Sequence, residues 1–294
     1  DTSGNLNRLA DLDCWFEEKH RITIVWHDLK ACISSQVAQR IGAVDVILHL
    51  AAASHVDRSI ADPMSFVMDN VVGTCNLLDY ARTLPGLEHF LYFSTDEVFG
   101  PAPEGVAYGE WDRYHSGNPY AATKAGAEEL CLAYQNTYHL PVMIAHCMNV
   151  FGERQHPEKF VPMTIRKVLH DETVTIHADP TCTKPGSRFY IHARNVASAV
   201  LFLMRHGKPG EKYNIVGEAE IDNLSMAEII SRHVGKPLRF ELVNFHGSRP
   251  GHDLRYALSG GAMEALGWKI PVTLEQSMAR MVKWSLEHKG WLEA

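Results

Sequence analysis

The chain has 294 residues, of which 46% are hydrophobic and 21% are charged, and its formal net charge is −7. This is ordinary globular composition, with enough length for one large domain or two smaller ones. The acidic balance and the lack of a long basic run argue against a nucleic-acid partner. The sequence has no apolar run of about 18 residues, the length needed to cross a membrane.

The six cysteines suggest neither a disulfide framework nor a zinc site. None of them forms a Cys-x-x-Cys pair, and the 17 histidines form no cluster at zinc-ligand spacing. We therefore expect a reducing, cytoplasmic location and no catalytic metal. The cysteines are Cys14, Cys32, Cys75, Cys131, Cys147 and Cys182.

Short apolar runs alternate with helical patterns along the first half of the chain. Asp62 followed by Pro63 is typical of a helix start, because Asp caps free N–H groups and Pro fits the first turn. Apolar residues recur at helical spacing behind this pair, and a second long helix is predicted over 121–138. The predicted strands cover Ile22–Trp26, Val44–Leu50, Phe90–Ser94, Val142–Cys147, Val174–His177 and Tyr213–Val216.

This alternation predicts an α/β fold, a Rossmann-like doubly wound parallel sheet. Prolines become frequent after Gly152 and break the chain into shorter pieces, which predicts a smaller mixed α/β region. We therefore predict a Rossmann-like domain over residues 1–152, with further segments returning from 190–216. Residues 153–294 would form mainly a substrate-binding region.

Tyr120 and Lys124 form a Tyr-x-x-x-Lys motif at the start of the second long helix. Residues four apart share a helix face, so the lysine ammonium would stabilise a phenolate and lower the tyrosine pKa. Such a tyrosine can take a proton from a sugar hydroxyl as hydride leaves the carbon. The motif also occurs by chance in many proteins of this size, so it does not decide the function alone.

Two further segments follow predicted strands. Thr95, Asp96 and Glu97 come directly after the strand at Phe90–Ser94, and small residues, Ala51–Ala53, follow another strand. Adjacent carboxyls at a strand end are either a solvated turn or an acid and a base whose surroundings separate their pKa values. Because ligands bind outside the carboxyl ends of strands in open α/β sheets, the shared location favours a functional site.

Together these segments resemble the extended short-chain dehydrogenase/reductase superfamily, and within it they are similar to the nucleotide-sugar 4,6-dehydratases. The resemblance extends over nearly the whole chain, from about Ser3 to Trp291. Thr-Asp-Glu separates these dehydratases from the epimerases and decarboxylases of the superfamily. The matching stretches are Ala51–Ile60, Asp69–Arg82, Ser94–Gly100, Asn118–Ala125, His156–Pro162, Arg249–Leu258 and Leu266–Trp284.

The resemblance implies conversion of a nucleotide-hexose, dTDP-glucose or UDP-glucose first among them, to a 4-keto-6-deoxy sugar with NAD as cofactor. Tyr120 would take the C4 hydroxyl proton, with Lys124 lowering its pKa and binding the nicotinamide ribose. Thr95 would hydrogen-bond the same hydroxyl. Glu97 would remove the C5 proton and Asp96 would protonate the departing C6 hydroxyl, so Asp96 must hold a proton while Glu97 is ionised.

Other positions carry over from the same resemblance. The cofactor would also contact Asp28, Leu29, Leu50, Ala51 and Ala52. The substrate would contact His55, Thr95, Asn149, Lys159, Arg188 and Arg249, although each basic residue could instead be a surface charge. The family usually forms homodimers through two helices per subunit, which here would be those over roughly Met64–Thr83 and Ala121–His139.

Two features depart from the family pattern. The segment Ala178–Ser187 is longer than the usual turn before Arg188, which leaves thymidine, uridine and cytidine open as the nucleoside. The Gly-rich turn that grips the dinucleotide pyrophosphate does not occur. We therefore expect the N-terminal βαβ unit to be absent from this sequence. An epimerase, a decarboxylase and a non-catalytic NAD-fold binding module are the alternative functions.

Overall fold

The computed structural model describes residues 4–244 and 254–293, which alternate strands with helices. Its strands are β1 (Val46–His49), β2 (His89–Thr95), β3 (Val142–Cys147), β4 (Val150–Phe151), β5 (Val174–Ala178), β6 (Ser187–Phe189), β7 (Ile191–His192), β8 (Lys212–Ile215), β9 (Glu220–Asp222) and β10 (Phe240–Asn244). Its helices are α1 (Asn7–Ala10), α2 (Trp15–Glu18), α3 (Ser35–Ile41), α4 (Val56–Ala61), α5 (Pro63–Phe66), α6 (Gly73–Ala81), α7 (Pro119–Tyr138), α8 (Phe160–Leu169), α9 (Ala193–His206), α10 (Asn223–Val234), α11 (Gly261–Ala265), α12 (Leu274–Glu287) and α13 (Gly290–Glu293). Short 3-10 turns cover Lys19–Arg21 and Asp96–Phe99.

The main sheet has four parallel strands in the order β1-β2-β3-β8. This confirms the Rossmann-like fold class. The register sets Ser94 opposite His146, and His146 opposite Asn214. Since the strands are parallel, the carboxyl ends of β1, β2 and β3 meet at one edge of the sheet. Three two-stranded ladders, β4 with β7, β5 with β10 and β6 with β9, lie outside it.

Apolar side chains cover both faces of the main sheet, as expected for parallel strands. On one face Phe90 and Tyr92 pack with residues of α6 and α7. On the other face Leu91 and Met143 pack with residues of α9. A separate core forms where α8, α10 and α12 meet. Among the residues described, no helix is both long and apolar enough to pass through a membrane.

A π-helical turn over Val67–Val72 interrupts the helix that was predicted to begin at Pro63. Asp62 caps this helix as expected, because its carboxylate accepts from the Ser65 N–H at 3.3 Å. Asn70 lies in the π turn and is buried. Its amide exchanges two hydrogen bonds with the backbone of Ala53, at 2.8 and 3.0 Å, and donates to Thr123 Oγ1 at 3.0 Å. The turn therefore fixes the loop that follows β1.

The prediction of a strand over Ile22–Trp26 was wrong. The segment forms no ladder with any strand of the described part of the chain. Ile22, Ile24 and Trp26 are exposed, and Thr23 and Val25 line a cavity of about 490 Å³ whose other walls include residues of β1. A ladder needs a partner strand about 4.8 Å away, and that partner is not among the described residues.

Candidate active site

α7 carries the Tyr-x-x-x-Lys motif on its buried side. Asn118 caps the helix, because its Oδ1 accepts from the Ala121 N–H at 2.8 Å. Lys124 Nζ donates to the Phe93 carbonyl at 2.6 Å and lies 4.2 Å from the centre of the Tyr92 ring. Burial lowers the pKa of Lys124 to about 8, against the opposing charge of Glu128. Lys124 is therefore an ammonium near neutral pH, held under the end of β2.

Tyr120 is buried at the start of the same helix. Its backbone N–H donates to Ser59 Oγ at 3.1 Å, and its ring packs edge-on against Phe66. Burial first, and then the charge of Glu97, raise the pKa of Tyr120 well above its usual value, while a hydrogen bond with Thr95 lowers it. This corrects the expectation of a lowered pKa: in the protein by itself burial prevails, and Tyr120 is a phenol at neutral pH.

The Thr-Asp-Glu segment forms a tight turn at the carboxyl end of β2. Thr95 Oγ1 donates to Asp96 Oδ1 at 3.0 Å and accepts from the Glu97 N–H at 3.4 Å. Gly100 ends the turn with a φ of 74°, and a Cβ there would lie 2.3 Å from the His115 carbonyl oxygen. Only glycine fits that position without moving the backbone.

The two carboxyls have unlike surroundings. Asp96 is 6% exposed, and its Oδ2 has no hydrogen-bond partner among the described residues. Burial raises the pKa of Asp96, although the charge of Arg188 opposes the effect. Glu97 is only partly buried and accepts from Asn118 Nδ2 at 3.0 Å. The surroundings of Asp96 thus favour a bound proton, in the direction that an acid role requires.

Two adjoining cavities bring the expected catalytic and substrate residues together. The first holds about 350 Å³ and is lined by Thr95, Asp96, Glu97 and Tyr120. The second holds about 250 Å³ and shares Asp96 and Glu97 with the first. The remaining expected residues on their walls are His55, Asn149, Lys159 and Arg188. Arg249 lies outside the described residues.

The basic residues reach the second cavity from different elements. Arg188, on β6, stacks on the Tyr256 ring at 4.7 Å, and its Nη1 donates to the carbonyls of Ser187 and Leu254, each at 2.7 Å. Lys159 is the N-cap residue of α8. His55 Nδ1 lies 4.0 Å from Asp57 Oδ2, and burial lowers the pKa of His55.

A third cavity, of about 660 Å³, contains the residues expected to hold the cofactor. Its walls include Asp28, Leu29, Leu50, Ala51 and Ala52. Small side chains after β1 let a ligand approach the backbone there, and Asn70 fixes the next residue, Ala53. Ala53 lines this cavity, while its neighbour Ser54 lines the catalytic one. The two cavities are therefore lined by consecutive residues of one loop.

Three residues of the site escaped the sequence interpretation. Asn118 both caps α7 and holds Glu97, and its position before Pro119 was a signal for the cap. Ser59 and Asn70 support Tyr120 and Ala53 through long-range contacts that no local pattern reveals. No group of three potential metal ligands occurs within 4–244 and 254–293.

A parallel Rossmann-like sheet with a buried Tyr-Lys pair at its carboxyl edge defines a nicotinamide-dependent enzyme. Residues 2–216 match the NAD dependent epimerase/dehydratase family, and the chain belongs to this family. NAD is accordingly its cofactor.

Relatives with known functions are similar along nearly the whole chain. A dTDP-glucose 4,6-dehydratase of Xanthomonas campestris pv. campestris is 35% identical, over 99% of this chain and 85% of that protein. The crystal structure of DesIV, a dTDP-glucose 4,6-dehydratase of Streptomyces venezuelae with NAD bound, matches with a TM-score of 0.85 at 33% identity, over 99% and 86% of the two chains. The Bacillus anthracis dTDP-glucose 4,6-dehydratase in complex with NAD also matches with a TM-score of 0.85, at 28% identity, over 100% and 88%.

Replacing Asp96 by Asn should stabilise the protein at neutral pH. The folded pKa of Asp96 is raised, so the free energy of unfolding falls as pH rises from the ordinary value of 3.8 to the raised value. Asp96→Asn escapes this loss, so its melting temperature should exceed the wild-type value at pH 7 and approach it near pH 4. Asp28→Asn is the control, because the pKa of this exposed carboxyl is lowered instead. Equal stability of Asp96→Asn and wild type at pH 7 would contradict the assignment.

Proposed function

We propose that this protein is a nucleotide-hexose 4,6-dehydratase, which converts dTDP-glucose or UDP-glucose to the 4-keto-6-deoxy nucleotide-sugar and water. The observation that carries the proposal is a single cavity holding Tyr120, Thr95 and two carboxyls in unlike surroundings. An epimerase or a decarboxylase needs no acid to expel a hydroxyl group. A buried Asp96, whose surroundings raise its pKa and so favour a bound proton, has a clear use in dehydration.

The roles follow from the contacts of each side chain. Bound by Asp28, Leu29 and Leu50–Ala52, NAD would supply the oxidising and reducing power for the changes at C4 and C6. Tyr120 must first lose its own proton, which the positive charge of Lys124 favours; the phenolate then takes the C4 hydroxyl proton, and Thr95 hydrogen-bonds the same hydroxyl. The resulting ketone acidifies C5, so Glu97 can remove that proton while Asp96 gives its own to the departing C6 hydroxyl.

The proton balance assigns Thr95 a second role. Glu97 returns its proton to C5 when hydride reaches C6, which leaves Tyr120 with one proton gained and Asp96 with one lost. Thr95 hydrogen-bonds both residues, at 3.0 Å to Asp96 Oδ1, and so offers a path for that proton back to Asp96.

The second cavity suits the diphosphate and nucleoside of the substrate. Lys159 and the N-terminus of α8 supply positive charge and free N–H groups, and Arg188 supplies a guanidinium suited to phosphate. Asn149 lines both cavities and would contact the sugar diphosphate. His55 and, by resemblance, Arg249 complete the proposed set, while Asp28, Leu29 and Leu50–Ala52 bind the cofactor.

A homodimer through the helices of α5, α6 and α7 is part of the proposal. Met64 and Tyr138 on these helices are 65% and 47% exposed, and Met68 is partly exposed, so apolar surface faces outward. All six cysteines are free thiols, which suits a reducing, cytoplasmic location.

The test is incubation of the protein and NAD with dTDP-glucose, UDP-glucose and CDP-glucose in turn. A product that has lost one water and absorbs in alkali supports the proposal and identifies the nucleoside. A product of unchanged mass would indicate an epimerase, and loss of carbon dioxide in a further incubation with a nucleotide-uronic acid would indicate a decarboxylase. Bound NAD with no product from any of them would favour a binding module.

Glu97→Gln should separate oxidation from elimination. The amide cannot accept the C5 proton, so exchange of that proton with solvent deuterium should stop. C4 oxidation, seen as the absorbance of the cofactor in its reduced form, should remain measurable. Mass spectrometry of recovered sugar reports the exchange. Exchange at the wild-type rate would show that another group is the base.

Asn118→Ala should lower both stability and turnover. Loss of the cap on α7 should cost about 1 kcal/mol of unfolding free energy, and loss of the hydrogen bond to Glu97 should reduce kcat. Thr273→Ala is the matched control, because Thr273 caps α12 but contacts no residue of the site. If both variants keep wild-type kcat after equal losses of stability, Asn118 does not hold Glu97 for catalysis.

A further inference from the structure

A buried polar cluster lies beneath the site and takes no part in the proposed steps. Its centre is Glu128, which is fully buried on α7 one turn beyond Lys124 and two turns beyond Tyr120. The other members are Ser94, Tyr114, His146, Lys212 and Asn214, and we call the whole set the Glu128 cluster. Ser94, His146 and Asn214 lie side by side on β2, β3 and β8.

The Glu128 carboxylate is hydrogen-bonded from several elements at once. Its Oε1 accepts from Ser94 Oγ. Its Oε2 accepts from Tyr114 OH, contacts His146 Nε2 at 3.0 Å and lies 3.6 Å from Lys212 Nζ. One side chain of α7 is thereby joined to three strands of the main sheet.

The hydrogen bonds of Asn214 determine which ring nitrogen of His146 carries a proton. Asn214 Nδ2 donates to the carbonyls of Tyr108 and Ser259, so its Oδ1 faces His146 Nδ1 at 2.9 Å and must accept from it. Nε2 therefore either donates to the Glu128 carboxylate as part of an imidazolium or accepts a proton from it. The charge of His146 and hydrogen bonds from His146, Ser94 and Tyr114 prevail over burial and hold the pKa of Glu128 below its usual range.

We propose that Glu128 is a positioning residue for the dehydration, an inference that rests on the proposed function. Through Ser94 it locks the strand end that carries Thr95, Asp96 and Glu97 onto the helix that carries Tyr120. Its carboxylate, which also pairs with His146 and Lys212, is buried one helical turn from the Lys124 ammonium and contributes negative charge there.

The charge role follows from the surroundings of Lys124. The titratable groups around Lys124 are His49 from β1, Tyr92 from β2, and Tyr120, Glu128 and Cys131 from α7 itself. Burial lowers the pKa of His49 to about 3, so His49 is neutral. Glu128 is the carboxylate that opposes the desolvation of Lys124. Without it, Lys124 would lose its proton at lower pH and cease to favour the Tyr120 phenolate.

Glu153 offers a matched comparison. It is also a buried carboxylate paired with a histidine, His192, at 3.2 Å, and with Arg194 at 3.1 Å. Its contacts do not include α7 or the strand end at Ser94. If Glu128 served only as the carboxylate of a buried ion pair, Glu128→Gln would lower stability without changing the Lys124 pKa or kcat, as Glu153→Gln is expected to do.

The experiment compares three variants with wild type in the presence of NAD. Glu128→Gln keeps the shape and removes the charge, so the Lys124 pKa, followed by NMR of isotope-labelled lysine, should fall by about one unit or more. The alkaline limb of the kcat profile should move to lower pH by a similar amount. Glu153→Gln should lower stability and leave the Lys124 pKa and the position of the alkaline limb unchanged. Ser94→Ala should lower kcat about tenfold without moving the limb.

The outcomes are separable. An unchanged Lys124 titration in Glu128→Gln overturns the charge role, and wild-type kcat in Ser94→Ala overturns the positioning role. Should Glu128→Gln fail to fold, Ser94→Ala still tests the second role. If wild type forms no dehydrated product, the proposed function has failed, while the lysine titration, which needs no turnover, still reports on Glu128.

Discussion

The parallel register of β1, β2 and β3 is the constraint on which the site depends. Because these strands run in one direction, the loop after β1, the Thr-Asp-Glu turn after β2 and the segment after β3 emerge at the same edge of the sheet. α7 packs on one face of the sheet, and Lys124 joins it to β2 by donating to the Phe93 carbonyl. These segments line the cavity that contains Thr95–Glu97 and the one that contains Leu50–Ala52.

Burial of the side chains at this edge also shifts their pKa values. It raises the pKa of Asp96 and Tyr120 and lowers that of Lys124, so every one of these groups is shifted toward its neutral form. For Asp96 the shift is in the direction that its proposed role as an acid requires. For Tyr120 and Lys124 it disfavours the phenolate and the ammonium that proton abstraction requires. Nearby groups of opposite charge must therefore stabilise these two forms. Glu128 is such a charge on the side of Lys124.

Much of the fold could be predicted because its signals are local. Buried strands appear as apolar runs, Asp62-Pro63 marks a helix start, and Tyr120 and Lys124 share a helix face by spacing alone. Thr95–Glu97 and Leu50–Ala52 could be predicted to lie at one edge of the fold because they follow strands of a parallel sheet. The failure at Ile22–Trp26 has a physical reason: an apolar run is a local property, whereas a ladder also requires a neighbouring strand, which is a non-local one. The contacts of Ser59, Asn70 and Glu128 and the direction of the Tyr120 pKa depend on packing between distant segments, so no local pattern indicated them.

The central claim is that one cavity carries out oxidation, elimination and reduction on the same sugar. A nucleotide-hexose deuterated at C4 tests it most directly, with the product analysed by NMR and mass spectrometry. If Tyr120 and the two carboxyls act around one bound hexose and one NAD, the deuterium should leave C4 and be found in the C6 methyl group. Deuterium retained at C4, or lost to solvent, would contradict this account of the site.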